Sequence, residues 1–436
     1  MSDWIGDRFT SDIGWTHLEG LVDIGTRMAG SDGEREAAIL TRNALEQAGA
    51  REARLESFEI QGWTRGESAI EADDERLRSI ALPRSPAERV TAPLVDLGYG
   101  LPEDFENRDL EGSIVVVRSD IPDHAERYVH RREKYYHAVE AGAAGFVYRN
   151  HVAGCLPPTG SVGTDENPIG DIPAVGVSSE VGARLVRRYD GDEITLEVEA
   201  DIHDAESQTV RAQLGPETDR RVLVTSHVDA HDIAEGALDN GAGTAMVVEL
   251  AAALAAREDD LESRVEFVAF GAEEVGLVGS TRYAESCDCE AIEAVINLDG
   301  VVGSRTLSCQ TNGFDSLAAA ANAVADRYGH PIEVVPTLGP HSDHWPFVER
   351  GVPGYHVSSS DDSVGRGWGH TEADTFEKLE RRTFREQAIL LTALVVELAG
   401  EARTVDHREP DSIATALAEQ GLAKGMRITG DWPFKT

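Results

Sequence analysis

The sequence predicts an α/β fold: a mostly parallel central sheet flanked by helices, with a β-rich insertion. Three observations carry this. From Arg221 onward short apolar runs alternate with helical periodicity, as in Val222–Thr225, residues 244–256, Val265–Phe270, residues 279–285 and Ala294–Leu298. Apolar strands alternating with helices imply a parallel sheet covered on both faces. Between residues 75 and 200 the texture changes to many short strands and few helices, which marks an inserted domain. One histidine and three carboxylates then fall just past the strand ends, at His227, Glu273, Glu274 and Asp299. Sites in such sheets lie beyond the carboxyl ends of the strands.

Taken in order, residues 14–50 show helical spacing in Leu18, Leu21, Val22 and Ile24, then in Ala37, Ile39, Leu40 and Leu45. A break at Ala29–Gly33 separates two helices, with Ser31 or Asp32 as the cap of the second. Residues 53–60 and 68–72 read as strands. Within the insertion, Ile114–Val117 is a buried strand, Tyr135–Ala141 a helix, and Gly142–Tyr148 a turn and further strand; Ile172–Ser178 is another. Later come a helix over 315–328, strands over 332–336 and 353–357, and a long closing helix over 380–400. The division expected is 1–72 and 204–436 for the main domain and 73–203 for the insertion.

The chain has 436 residues, enough for two or three domains, and 41% are apolar. Its 79 acidic and 40 basic residues give a net charge of -39. Such a surface repels nucleic acid and anionic lipid, so neither is an expected partner. Lysine occurs only at Lys134, Lys378, Lys424 and Lys435; the remaining basic residues are arginine. This acid-rich, lysine-poor balance resembles halophilic proteins, in which molar salt shrinks the Debye length to about 3 Å and screens self-repulsion. An ordinary acidic protein is the alternative. No run approaches the ~18 apolar residues of a membrane helix. The start Met1–Asp7 has neither a basic nor an apolar stretch, so no signal peptide is read there. Cys155, Cys287, Cys289 and Cys309 are too few for a disulfide scaffold. Free thiols in a cytoplasmic protein are expected.

The residues that can do chemistry are individually ambiguous. His227 and Asp229 are two apart, so an extended chain points them to one side, where the carboxylate can hold the histidine's second ring nitrogen. Asp239 precedes Asn240–Thr244 at a helix start; it is either a cap or a carboxylate shared by two cations. Glu273 and Glu274 sit between apolar segments, where one can ligate metal while the other takes a proton from water. Asp299 ends a buried strand, as a turn residue or a ligand. His370 lies in a glycine-rich loop, and His341–Phe347 is a dense polar segment in which Ser342 or Asp343 can cap a short helix. His231 has no task and reads as structural or surface. The order of these signals along one sheet face favours their acting together.

Together the segments resemble the M28 family of zinc aminopeptidases, co-catalytic metallopeptidases. The likeness covers the Arg27–Ser31 break and the region from Val222 to about Leu398. It implies a zinc-exopeptidase-like fold and two Zn²⁺ ions, with Co²⁺ or Mn²⁺ also suited to a mixed histidine and carboxylate shell. By resemblance His227 and Asp299 are ligands of one metal, Glu274 and His370 of the other, and Asp239 bridges them. Glu273 is the general base and Asp229 the carboxylate supporting His227. The resemblance also implies a cis bond between Asp239 and Asn240. The middle segment is similar to a protease-associated (PA) domain, through Ile114–Val117, Ala141–Gly145 and Ile172–Val175. The implied reaction releases N-terminal amino acids from peptides with a free N-terminus, by attack of a water activated at the zinc pair. A carboxypeptidase, with Arg350 or Arg366 for the substrate carboxylate, a dipeptidase or another amide hydrolase of the same fold are alternatives. A glutaminyl cyclase or a non-catalytic receptor-like protein fits less well, because both metal shells are complete. Many relatives are secreted and carry disulfides; neither feature is expected of this chain. Gly369 and Trp368 stand beside His370, where some members have a tyrosine.

Overall fold

The computed structural model describes residues 3–360, 368–400 and 405–435. It divides into two compact units. One comprises Met1–Ile60, Ala205–Arg366 and Asp374–Ala416; the other comprises Gln61–Asp204, Gly367–Ala373 and Leu417–Thr436. The divisions at residues 60 and 204 fall within two long strands, Arg51–Ala72 and Glu193–Leu214. The first was expected as two separate strands. The second was not read from the sequence at all, because its polar residues hide the alternation.

The first unit is built on a mixed sheet. In order across it run Ile332–Val335, Thr306–Gln310, Gly354–Ser360, Ile292–Leu298, Arg221–His227, Arg264–Phe270 and the end of Glu193–Leu214. The centre is parallel, with Arg221–His227 flanked by Arg264–Phe270 and Ile292–Leu298. Antiparallel pairs stand further out, Thr306–Gln310 on Gly354–Ser360 and Glu193–Leu214 on Arg264–Phe270. Every residue of Arg221–His227 is buried, as expected of a strand covered on both faces. The helix Ala242–Ala255 is mostly apolar and almost wholly buried, with Glu249 paired to Arg8. It packs against Arg221–His227 and against the helices Ile13–Val22 and Arg381–Ala399. A Cβ at Gly243 would overlap the carbonyl oxygen of Leu298, so only glycine allows this helix start to approach the sheet. Ser31 caps Asp32–Gln47 by accepting the N–H of Glu34.

The topology places a site. From Arg221–His227 the chain adds Arg264–Phe270 on one side and then Ile292–Leu298 on the other. Loops leaving neighbouring parallel strands in opposite directions open a crevice at their carboxyl ends. His227 is the last residue of its strand and Asp299 follows the last residue of its own.

The second unit carries parallel strands Glu88–Asp96, Ile114–Arg118, Gly145–Arg149 and Ala174–Val177, with Ile80–Ala81 antiparallel at one edge. Its core joins Val115, Val117, Phe146 and Tyr148 to Tyr135 and Ala138 of the helix Arg131–Glu140. A second helix, Ser179–Tyr189, is more than the strand-rich texture suggested. Ile428, from the helix Ala423–Ile428, packs on the same core, and Arg132 donates to Asp431. No described helix is long and apolar enough to cross a membrane.

Candidate metal centre

Three buried strand ends and the loops that follow them supply the cluster in the first unit. His227 is 1% exposed, with Asp239 and Asp299 nearly as enclosed. Its Nε2 lies 3.3 Å from Asp239 Oδ1 and 3.7 Å from Asp299 Oδ1. Ligand atoms of His227, Glu273 and Asp299 lie within 4.8 Å of one another. The peptide bond Asp239–Asn240 is cis.

Neighbouring groups hold each member in place. Asp229 accepts the backbone N–H groups of Glu273 and Glu274, both at 3.1 Å, so it fixes the acidic pair against the His227 loop. Ser342 donates to Asp299 Oδ2 at 2.7 Å and is itself held by Asn297. Asp374 accepts the N–H groups of Leu238 and Asp239, at 2.7 and 3.1 Å. Arg27, fully buried, donates to the carbonyls of Val228, Glu235 and Gly236 and so ties down both ends of the loop between His227 and Asp239. Glu34 accepts the N–H of Ala272, next to Glu273.

The donor set fits a cation. His227 Nδ1 faces the carbonyl oxygen of Asp229 at 3.1 Å, and a carbonyl can only accept. The proton therefore belongs on Nδ1, and Nε2 presents its lone pair to two carboxylates. That buried Nε2 has no hydrogen-bond partner. Acceptors facing acceptors repel unless a proton or a metal ion lies between them. The acid–base balance shows the same need for positive charge at Nε2, met by a proton where no cation is bound. Burial opposes protonation of His227, yet the charge of Glu273 and the contacts with Asp229, Asp239 and Asp299 carry its pKa well above the usual value. Glu273 keeps some exposed surface, but desolvation of its carboxyl, reinforced by Glu274, Asp343 and Asp299, pushes it well above the carboxylate range. Burial raises Asp343 to about 8 and Asp374 to about 7. So many acids cannot all ionise in one enclosure without added positive charge.

The sequence-derived residues are thus located. His227, Asp239, Glu273 and Asp299 come together in the first unit, with Asp229 and Glu274 joined to them through the 273–274 backbone. His370 belongs to the second unit: it is half-buried, with φ +54°, and its carbonyl accepts the N–H of Thr159. Three local expectations change. The carbonyl of Asp229, not its carboxylate, holds the His227 ring, because the carboxylate is engaged by two amides and stands 3.6 Å from Nδ1. Asp239 is not the helix cap; Asn240 Oδ1 accepts the N–H of Gly243. Neither Ser342 nor Asp343 caps the short helix Trp345–Val348 with its side chain. Arg350 is engaged by Glu349 and by the carbonyl of Pro346, and Arg366 lies outside the described residues. Sequence reasoning missed Arg27, Glu34, Asp374 and His231. The first three act on backbone amides or carbonyls far away along the chain, which leaves no local signal. His231 lies four residues from His227 and is 5% exposed, so it is no surface residue.

Known proteins bear on this arrangement. The model of peptidase family M28 matches residues 209–395, and that of the PA domain residues 90–185. Aminopeptidase YwaD of Bacillus subtilis (strain 168) is 29% identical over 391 residues, covering 86% of this chain and 81% of that protein. Leucine aminopeptidase 2 of Arthroderma otae is 26% identical over 372 residues, covering 80% and 70%. Among solved structures, BSAP, a zinc aminopeptidase from Bacillus subtilis, superposes with a TM-score of 0.70 at 26% identity, over 92% of this chain and 98% of that one. An aminopeptidase from Aneurinibacillus sp. strain AM-1 shares the fold, with a TM-score of 0.69 at 24% identity over 94% and 98%. The chain thus carries a region that matches peptidase family M28 and another that matches the PA domain, and it is similar to aminopeptidases over most of its length.

Proposed function

We propose that the protein is a metal-dependent aminopeptidase that releases N-terminal amino acids from peptides with a free N-terminus. The single observation behind this is the buried His227 Nε2, whose lone pair faces Asp239 and Asp299 beside the Glu273–Glu274 pair. The named activities of its relatives, aminopeptidase YwaD and the zinc aminopeptidase BSAP, support the same reading.

In this proposal His227 and Asp299 would hold one Zn²⁺ and Glu274 and His370 a second, with Asp239 available to both; Co²⁺ or Mn²⁺ would suit the same donors. Zinc bound there would polarise the scissile carbonyl and acidify a water. Glu273 is the proton carrier. Beside His227 and Asp299, it is placed to accept a proton from the attacking water and return it to the leaving amine. Asp229 aims it by holding its backbone N–H. The substrate's α-ammonium is matched by the surplus of carboxylates. Cytoplasmic and halophilic character belong to the same proposal and follow from the charge and cysteine content.

Hydrolysis of amino-acid p-nitroanilides, compared with N-blocked peptides, tests the reaction class. Turnover of the former, abolished by chelation and restored by zinc, is expected. Cleavage confined to blocked peptides would replace the aminopeptidase reading with another amide hydrolase.

A further inference from the structure

His231 Nε2 lies 2.9 Å from Glu274 Oε2, and both side chains are almost wholly buried. Two donors about 2.0–2.1 Å from one zinc in a tetrahedral shell stand about 3.4 Å apart. The pairs His227–Asp239 and His227–Asp299, at 3.3 and 3.7 Å, bracket that spacing; His231–Glu274, at 2.9 Å, is shorter, and its two residues belong to a group whose ligand atoms all lie within 4.8 Å of one another.

Resting on the two-cation reading above, we propose that His231 is a ligand of the second cation, beside Glu274. His227 and His231 would then divide one loop between two metals. The loop is built to hold such a position. The N–H of Ala230, just before His231, donates to the carbonyl of Arg27, and the Arg27 guanidinium grips the carbonyls of Val228, Glu235 and Gly236. The partner carboxylate is fixed independently, since the Glu274 N–H is held by Asp229. Both donors are thus anchored through their backbones, and little ordering remains when a cation arrives. A neutral imidazole also adds a strong donor without adding charge to an acidic enclosure.

The test is zinc binding to the intact wild-type, His231→Ala and His227→Ala proteins, read by competition with a chromophoric chelator and by metal content. Wild type should bind two ions. His231→Ala should weaken one of them by about 100-fold or more and leave the other unchanged, whereas His227→Ala should weaken the opposite one. Cadmium NMR on wild-type protein with isotopically labelled histidine decides the matter even if a variant fails to fold: coupling of His231 Nε2 to the metal is expected. Wild-type affinity at both sites in His231→Ala, or absence of that coupling, would overturn the assignment and leave the aminopeptidase reading standing. Failure of the wild type to take up zinc would overturn both.

Discussion

At the residue scale the decisive contrast is between groups that face the proposed metals and groups that hold them. Glu273→Gln removes the proton carrier but keeps the shape and the Asp229 contact. It should retain metal and lose about 10²–10⁴-fold in kcat, measured by steady-state kinetics with metal content determined in parallel. Asp374→Ala leaves the Leu238 and Asp239 amides without their acceptor. Its expected effect is on metal affinity, a loss of about 10–100-fold in a chelator competition. These variants separate a chemical role from a positioning one. They also show what the sequence could tell. His227, Asp299 and the Glu273–Glu274 pair were visible because each sets polar side chains at the end of an apolar strand, whereas Asp239 and His370 were assigned through the family resemblance. Arg27, Glu34 and Asp374 were not, because what they do depends on backbone groups brought near only by folding. Glu34 reaches Ala272 across 238 positions.

Elements were legible where periodicity was strong. The helix over 315–328 is found at those bounds, and the closing helix is Arg381–Ala399. Strands buried on both faces, such as Arg264–Phe270, read as continuous apolar runs. Strands missed include polar or half-exposed ones: Glu88–Asp96, Thr306–Gln310, and Glu193–Leu214 with its acidic stretch. Two predictions belong here. Ser31→Ala removes the cap on Asp32–Gln47 and should cost about 1 kcal/mol in denaturant unfolding. His17, in the helix Ile13–Val22, is buried against Thr41, and burial, aided by the Arg27 charge, lowers its pKa from 6.5 to about 4. The folded protein therefore binds this proton less readily than the unfolded chain. Between pH 6.5 and 4 the unfolded state carries the extra proton, so stability falls as pH falls, and no further below the lower value. The total is on the order of 3 kcal/mol. Urea unfolding across this range should show a shallower pH dependence in His17→Gln than in wild type; equal slopes would contradict the assignment.

For the whole molecule, the net charge of -39 sets the conditions of stability. Ion pairs such as Arg89 with Glu71 and Glu197 offset part of it locally, but acidic residues outnumber basic ones nearly two to one. The melting temperature should rise by several degrees from low to molar KCl as repulsion is screened. A melting temperature independent of salt would remove the case for halophilic character. The division into two units was only partly legible. Composition marked the insertion, but nothing local shows that residues 417–436 group with it, because the link is long-range: Arg132 and Asp431 are 299 positions apart. The central claim is that distant side chains converge on a pair of cations. Anomalous diffraction at the zinc edge, from crystals of zinc-loaded protein, tests it most directly. The account predicts two peaks sharing Asp239, one against His227 and Asp299, the other against Glu274. A single peak, or peaks remote from His227 and Asp239, would contradict it.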